Sequence, residues 1–318
     1  MLRRFRRPAV ILACALALAS LSACGDEVVT ASGGDGTLEG FDAFSLSGDI
    51  GTPPKIDWKG QMEADEIETE VVTEGDGAEL ATGDSVIVNF TVGNGFSQKQ
   101  TFTTYDEKPS GQLIKVDDQL TGLFKEAITG QTVGSRVAVV ASAKEAFGEI
   151  GNPDLGIGNQ DPVLLVVDLV SGVLDKPTGT QSDAPAWAPH IVFDKGQPTG
   201  FDFSGTPEPT SSLQEAALIK GEGPTVTKGQ SVVVDYLGQV YGGDKPFDES
   251  YTKEPFGTGI GIGAVVKGWD DGLVGQTVGS RVILAIPPKL GYGEAGNEDA
   301  GIAGTDTLYF VVDILAAG

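Results

Sequence analysis

The sequence contains few cysteines, histidines and basic residues. Its 318 residues include two Cys, one His, and 21 Lys and Arg against 45 Asp and Glu, which gives a net charge of −24. With so few thiols and imidazoles, we expect no disulfide framework, no thiol redox chemistry, no metal ion and no cofactor; His190 has no cysteine or histidine companion. The shortage of cations excludes nucleic acid as a partner, because polyanion binding depends on basic patches that neutralise phosphate.

The first 23 residues have the features of a signal peptide. Four arginines precede an apolar stretch, residues 9–19, that is too short to span a bilayer as a helix. The following Leu21-Ser22-Ala23-Cys24 resembles the lipobox of bacterial lipoproteins. This resemblance implies that Cys24 becomes the first mature residue and carries lipid, so that the protein is extracytoplasmic and anchored in the cell membrane. An ordinary secretory signal with an incidental cysteine is the alternative. Removing this segment changes the net charge from −24 to −28, because it takes away four arginines and no acid.

One motif occurs twice in the chain. GQTVGSRV stands at residues 130–137 and again at residues 275–282, an offset of 145. The same offset aligns Phe102 with Phe247, Phe124 with Trp269, Phe147 with Tyr292, Ile157 with Ile302 and Asp168 with Asp313. Collinear matches across about a hundred residues indicate a duplicated domain of ordinary size.

Composition predicts how the two copies are connected. Residues 24–53 are rich in Gly, Ser, Thr and acids, which predicts a disordered acidic tether. Residues 172–186 have the composition of an interdomain linker. The first domain is therefore predicted over residues 54–171 and the second over residues 187–318.

Short β-branched runs predict the strands of each copy. Frequent glycine and proline with only 7% aromatic residues also favour loop-rich β-domains. The predicted strands are residues 86–90, 136–141 and 163–170 in the first copy, and residues 232–236, 281–286 and 308–315 in the second. Helix-like spacing is confined to residues 124–128 and 269–274. We expect an α+β fold in which each domain is a twisted antiparallel β-sheet wrapped on one short α-helix.

The second copy carries an ordered series of motifs between about residues 217 and 315. They are VVVDY at 232–236, FDES at 247–250, VVKGW at 265–269, GQTVGSR at 275–281, IPP at 286–288, GYG at 291–293 and TLYF at 307–310. In this order the motifs resemble the FKBP-type peptidyl-prolyl cis-trans isomerases. The resemblance implies a pocket lined by Tyr236, Phe247, Asp248, Phe256, Val265, Val266, Trp269, Tyr292, Ile302 and Phe310.

The resemblance also assigns roles within that pocket. Trp269 would form its floor, and the backbone N–H of Val266 and the hydroxyl of Tyr292 would donate hydrogen bonds to a ligand. Asp248 would polarise the prolyl carbonyl or position the hydroxyl of Tyr236. Each assignment has an alternative from the residues alone: the aromatic cluster as core packing, the tyrosines as polar caps of that core, and Asp248 as a surface turn acid.

These residue types suit rotation about a prolyl bond. Rotation about a peptide bond has a barrier of about 18–20 kcal/mol, because twisting destroys amide resonance. Water favours the planar, charge-separated amide, so an apolar aromatic pocket destabilises the planar form relative to the twisted one. No nucleophile is required, only an apolar seat and a few fixed hydrogen-bonding groups.

The first copy lacks the polar groups of the second. Thr103 replaces Asp248 and Phe147 replaces Tyr292. The remaining aligned differences are Leu165 for Phe310, Gly111 for Phe256 and, with a one-residue gap, Phe90 for Tyr236. We therefore interpret the first copy as a degenerate, weak or inactive domain that binds unfolded chain or positions the second copy. A plain spacer is the alternative.

The predicted function is that of a membrane-anchored prolyl isomerase assisting the folding of secreted or surface proteins. Its expected partners are unfolded or newly secreted proline-containing polypeptides, macrolide immunophilin ligands, and the lipid bilayer through Cys24. One alternative is a non-catalytic chaperone that holds unfolded chains in two apolar hollows. A scaffold with two vestigial pockets is the third hypothesis.

Overall fold

The computed structural model describes residues 36–318 of the chain. The predicted signal peptide, the lipid-attachment residue Cys24 and the first part of the predicted tether lie outside the described residues. Over residues 36–318, no helix combines the length and the apolar character that crossing a membrane requires.

The described chain is built mainly of β-strands. The strands of the N-terminal half are β1 (Thr37–Glu39), β2 (Phe44–Ser47), β3 (Lys55–Trp58), β4 (Gln61–Glu63), β5 (Glu68–Thr73), β6 (Ser85–Asn94), β7 (Lys99–Thr103), β8 (Gln112–Lys115), β9 (Arg136–Ser142) and β10 (Pro162–Gly172). Those of the C-terminal half are β11 (Thr180–Gln181), β12 (His190–Asp194), β13 (Gln197–Asp202), β14 (Gln214–Lys220), β15 (Ser231–Val240), β16 (Asp248–Glu249), β17 (Phe256–Gly259), β18 (Arg281–Ile286) and β19 (Leu308–Ala317). The α-helices are α1 (Gly122–Ile128), α2 (Ala143–Phe147) and α3 (Lys267–Leu273).

Two large antiparallel sheets share one strand order, apart from the extra edge strand β11 of the second. The first runs β5-β9-β10-β6-β7 with β8 also paired to β6, and the second runs β11-β14-β18-β19-β15-β16 with β17 also paired to β15. Helix α1 contacts the first sheet and α3 the second. We call residues 36–172 the first module and residues 180–318 the second module. The predicted α+β class is confirmed, and the first module contains one short helix, α2, beyond the predicted one.

Both faces of the second sheet are buried. Because side chains alternate along a strand, Val232, Val234 and Tyr236 of β15 face helix α3, where they join one apolar core with Trp269 and Leu273. The opposite face packs under the β12–β13 hairpin, and this second core contains Ile191, Phe201, Leu237, Ile283, Tyr309 and Val311. Burial on both sides explains why β19 is a nearly continuous apolar run rather than an alternating one.

The first sheet is covered in the same way by residues that the sequence predicts to be disordered. Strand β2 pairs with β3, and Phe44 packs with Met62 and Leu164 on the outer face of the sheet. The prediction of a disordered tether over residues 24–53 is therefore wrong for the part that forms β1 and β2. Phe44 packs with nearby residues and also with Leu164, more than a hundred residues later, so no local pattern reveals its burial.

The predicted linker is also not wholly unstructured. Thr180 and Gln181, within residues 172–186, form strand β11 and pair with Lys220 and Ile219 of β14. Two residues are too short a run to produce a recognisable strand pattern, which is why composition alone predicts a linker here.

A buried ion pair holds the N-terminal segment against the first sheet. Arg136 donates from Nε to Asp168 Oδ1 at 2.6 Å and from Nη2 to Asp168 Oδ2 at 2.7 Å, and both side chains are almost completely buried. The same guanidinium donates to the carbonyl oxygens of Gly48, Asp49 and Thr52 at 2.8–3.1 Å. The turn between β2 and β3 is thus fixed from inside the sheet.

The second module has a related ion pair in different surroundings. Arg281 bonds Asp313 with the same bidentate geometry, 2.6 and 2.7 Å. The ring of Phe193 from the covering hairpin lies 5.4 Å from the guanidinium carbon of Arg281, in place of backbone carbonyls. The ion pair is therefore common to both modules. The arginine contacts the β2–β3 turn in the first module and the β12–β13 hairpin in the second.

Candidate active site

Strand register brings the predicted site residues to one place on the second sheet. In the antiparallel ladders of β15, Gly238 lies opposite both Asp248 of β16 and Phe310 of β19. Val234, four residues earlier, lies opposite Phe256 of β17. Tyr236 stands between these two positions on β15, so four parts of the chain converge beside α3.

Aromatic rings pack edge to face around Trp269. The ring centroid of Trp269 lies 5.2 Å from that of Tyr236 and 5.4 Å from that of Phe310, with interplanar angles of 82° and 84°. Phe256 lies 6.5 Å from Trp269, and Phe247 lies 5.5 Å from Phe310. Edge-to-face geometry is the arrangement that aromatic quadrupoles favour. We call these five residues the ring cluster.

The ring cluster has a buried layer and an accessible layer. Trp269 and Phe310 expose no surface, and Tyr236 exposes only 5%. Ile302 is buried with them. Six predicted site residues are half-buried and reach solvent: Phe247, Asp248, Phe256, Val265, Val266 and Tyr292. Trp269 therefore belongs to the buried layer, and its role as the floor of a pocket stays a prediction. Among the described residues its indole N–H has no hydrogen-bond partner.

A tyrosine–carboxylate pair lies at the rim of the ring cluster. The hydroxyl of Tyr236 donates to Asp248 Oδ2 at 2.7 Å. Lys253 Nζ lies 3.7 Å from Asp248 Oδ1 and 3.4 Å from Glu249 Oε1. The pair therefore carries a nearby cation, which the sequence motifs did not predict. The spacing of Glu249 and Lys253, four residues apart, is the one sequence signal that could have indicated it.

Two further polar residues hold the site strands in position. The hydroxyl of Ser250 accepts a hydrogen bond from the backbone N–H of Tyr236 at 2.9 Å and donates to Asp235 at 2.8 Å. The carboxylate of Asp270, in α3, accepts the N–H groups of Gly261 and Gly263 at 2.7 and 2.8 Å. Asp270 thereby ties the loop that leads to Val265 and Val266 onto the helix. Sequence reasoning missed both roles, because no motif marks a contact between residues that lie 7 to 15 positions apart.

Tyr292 faces the same region from the loop after β18. Burial raises the pKa of the Tyr292 hydroxyl, and the negative charge of Asp248 raises it further, whereas a side-chain hydrogen bond with Asn297 opposes these effects. The hydroxyl consequently keeps its proton near neutral pH and remains able to donate a hydrogen bond. Asn297 also exchanges two backbone hydrogen bonds with Ile302, at 2.7 and 2.9 Å, which seats Ile302 in the core.

The structure brings all ten predicted site residues together. Nine of them belong to or pack against the core between the second sheet and α3, and Asp248 joins them through its bond to Tyr236. Their catalytic roles stay predictions. The alternative, that the aromatic rings only pack the core, fits the full burial of Trp269 and Phe310. The half-buried residues form the solvent-accessible part of the candidate site.

The corresponding region of the first module is apolar. Phe90 packs against Phe102 and Phe124 with ring centroids 5.4 and 4.9 Å apart. The predicted replacement of Asp248 by Thr103 is wrong by one residue: Asp248 lies opposite Gly238, two residues after Tyr236, whereas Phe102 lies opposite Val92, two residues after Phe90. The hydroxyl of Thr103, next to Phe102, lies 2.9 Å from that of Thr91 within the sheet. A phenylalanine therefore takes the strand position of the carboxylate, and the neighbouring hydroxyl is already engaged inside the module.

An antiparallel sheet on a short helix, with aromatic rings between them and a tyrosine–carboxylate pair at the rim, defines the class of domain. The sequence profile described as FKBP-type peptidyl-prolyl cis-trans isomerase matches residues 223–315. The chain is 39% identical over 116 residues to "FK506-binding protein" of Streptomyces anulatus, covering 36% of this chain and 93% of that protein. It is 40% identical over 116 residues to "FK506-binding protein 2" of Dictyostelium discoideum, covering 36% and 86%.

A solved structure is similar over more of the chain. The three FKBP domains of wheat FKBP73 align with 79% of this chain and 94% of that one, at 20% identity and a TM-score of 0.32. The chain belongs to the family of FKBP-type peptidyl-prolyl cis-trans isomerases, and its family match lies wholly within the second module.

Proposed function

We propose that the second module catalyses prolyl isomerisation at the ring cluster and assists the folding of secreted or surface proteins. The observation that carries this proposal is the convergence of Tyr236, Asp248 and Tyr292 beside half-buried aromatic rings. The apolar rings seat the proline side chain and exclude water, which removes the solvation that favours the planar amide. The fixed hydroxyls and the carboxylate then favour the twisted carbonyl and nitrogen.

The cellular setting is part of the same proposal. A lipid on Cys24 would hold the protein at the outer side of the cell membrane, where newly secreted chains emerge unfolded. Its partners would be proline-containing polypeptides, and macrolides would compete with them for the ring cluster. In cell fractionation, Cys24→Ser should move the protein from the membrane to the soluble extracytoplasmic fraction; unchanged membrane association would overturn the anchor.

The first module is proposed to be a degenerate FKBP-like domain. Its strand order equals that of the second module without the edge strand β11, which supports a common origin. Its counterpart of the site presents phenylalanines and an engaged threonine instead of the tyrosine–carboxylate pair. Without those polar groups the twisted amide gains no hydrogen bonds, so we assign catalysis to the second module.

Replacing Tyr292 by Phe tests the catalytic assignment in the full chain. Loss of one neutral hydrogen bond at the twisted amide should lower kcat/KM for a proline tetrapeptide about three- to tenfold. Tyr241→Phe is the matched control, because the hydroxyl of Tyr241 bonds Thr206 under the covering hairpin and not at the ring cluster. Equal activity of the Tyr292→Phe variant and the native chain would contradict the assignment.

A second assay with the same variants separates the isomerase from the chaperone alternative. Two apolar regions on one chain could hold an unfolded segment more tightly than either alone. Suppression of aggregation of a reduced, unfolded client should survive Tyr292→Phe, because the apolar surface is unchanged. If the native chain suppresses aggregation but accelerates no proline-limited refolding, the chaperone function replaces the proposed one.

A further inference from the structure

A short segment of the first module lies against a strand of the candidate active site. A Cβ atom added at Gly259 of β17 would lie 3.0 Å from both Cβ and Cγ of Pro109, so the proline ring rests on that strand. Leu113 approaches Gly257 of the same strand, 3.9 Å from a Cβ placed there. We call residues 109–113 the bracing segment.

Hydrogen bonds fix the bracing segment to the beginning of β15. The N–H of Ser110 donates to the carbonyl oxygen of Gly229 at 2.9 Å, and the N–H of Ser231 donates to the carbonyl oxygen of Ser110 at 3.0 Å. The hydroxyl of Ser231 donates to the carbonyl oxygen of Gly111 at 2.9 Å. Ser231 is itself paired with Gly259 in the β15–β17 ladder, so the same point of the second sheet receives all these contacts.

An apolar contact between the two sheets lies directly behind the bracing segment. Ile87 of β6, Val233 of β15 and Ala316 of β19 form one buried cluster, with 0–2% of each residue exposed. A Cβ atom at Gly111 would lie 2.8 Å from Cγ2 of Ile87 and 2.7 Å from the carbonyl oxygen of Gly318. The modules are therefore in close contact at this junction, with no space for a side chain at Gly111.

Strand β17 needs such support. It is four residues long and its one partner strand is β15, so its other edge receives no ladder hydrogen bonds from the sheet. Phe256, the first residue of this strand, packs against Tyr236 and Trp269 at ring-centroid distances of 5.8 and 6.5 Å. Any displacement of β17 moves a half-buried ring of the candidate site.

We infer that the bracing segment positions β17, and through it Phe256, for prolyl isomerisation by the second module. The first module is then a positioning element of the catalytic site rather than a second binding site. This inference rests on the proposed function of the ring cluster. It gives a physical role to Gly111, where the junction leaves no space for a side chain. The predicted match of Gly111 to Phe256 is wrong by one residue, because Gln112 lies opposite Val88 as Phe256 lies opposite Val234.

Gly111→Ala in the full chain tests the inference. The added methyl group must displace Ile87 or the backbone at Gly318, which shifts the bracing segment away from β17. We expect KM for a proline tetrapeptide to rise about fivefold, with a smaller change in kcat. This effect is well below the roughly hundredfold loss of rate that a 1 Å misplacement of a reacting group can cause. Amide hydrogen exchange across residues 256–259 should become faster in parallel.

Gly130→Ala is the matched control. Gly130 has φ +73° against +78° for Gly111, so alanine meets similar backbone strain at both, but no atom lies within 4 Å of a Cβ at Gly130. It should leave KM and exchange at residues 256–259 unchanged. If Gly111→Ala fails to fold, Leu113→Ala, with the exposed Ile150→Ala as its control, should raise KM by a smaller factor.

The outcomes separate this inference from the proposed function. If Asp248→Leu abolishes activity whereas the bracing variants retain native KM and native exchange at β17, the inference is wrong and the catalytic assignment stands. If Asp248→Leu leaves activity unchanged, the catalytic assignment itself falls, and the inference falls with it. Equal KM increases in Gly111→Ala and Gly130→Ala would show that general strain, not bracing, is responsible.

Discussion

Replacing Arg136 by alanine should lower the free energy of unfolding of the first module by about 3–5 kcal/mol, the cost of leaving one charge of a buried pair without its partner. Asp168 would lose both of its 2.6–2.7 Å bonds from the guanidinium. Among residues 36–318 it would keep only neutral donors, the hydroxyl of Tyr105 and the N–H of Gly51. The three carbonyl oxygens of the turn between β2 and β3 would lose their donor as well.

Amide hydrogen exchange in increasing urea measures the change in the free energy of unfolding separately for each module. A separate measurement is needed because a chain of two modules need not unfold in one transition. Lys55→Ala provides the control: Lys55 pairs with Asp57 at 3.0 Å, but both side chains are more than half exposed. Such a surface pair contributes about 0–1 kcal/mol. If Arg136→Ala lowered the free energy of unfolding by less than about 1 kcal/mol, the buried pair would not be what holds the β2–β3 turn against the sheet.

Asp248→Leu should lower kcat/KM for a proline peptide about 10- to 100-fold, because a hydrogen bond to a charged group contributes about 1.5–3 kcal/mol. The substitution removes Asp248 Oδ2, which accepts the hydrogen bond of the Tyr236 hydroxyl at 2.7 Å. It also leaves Lys253 without one of its two nearby carboxylates. The apolar seat is unchanged, so binding of the proline ring should suffer less than turnover.

A progress-curve assay at two ionic strengths measures the effect of Asp248→Leu, and Asp244→Leu is its control. Asp244 lies in the same connection before β16 but is exposed, so this variant removes an equal charge from the neighbourhood without touching Tyr236. Combining Asp248→Leu with Tyr236→Phe should cost little more than the first change alone, because the two residues act through one bond. Additive losses would show that they act independently.

Local patterns predicted the parts of the fold that repeat along the chain. The β-branched runs at 86–90 and 232–236 and the apolar run at 308–315 mark the central strands of the sheets, because alternation and continuous apolar character report burial directly. The ordered motifs predicted the ring cluster, since they specify which positions of those strands carry rings.

Contacts between remote residues could not be predicted in this way. Phe44 gives no signal in the sequence that it covers a strand more than a hundred residues later. Nothing in the order of the motifs indicates that Ser110 pairs with Gly229 and Ser231 of the other module. Lys253 and Asp270 were missed because a single charged residue in a turn or helix is ordinarily a solvated surface group.

The hairpin over the outer face of the second sheet bears on how this protein can be divided for study. The family match begins at residue 223, after both strands of that hairpin and after β14 have passed. A fragment that begins at residue 223 would expose Leu237, Ile283 and Val311 as one continuous apolar surface. Such exposed apolar patches cause aggregation. Domain limits taken from sequence similarity alone would therefore yield an insoluble piece, and its inactivity would say nothing about catalysis.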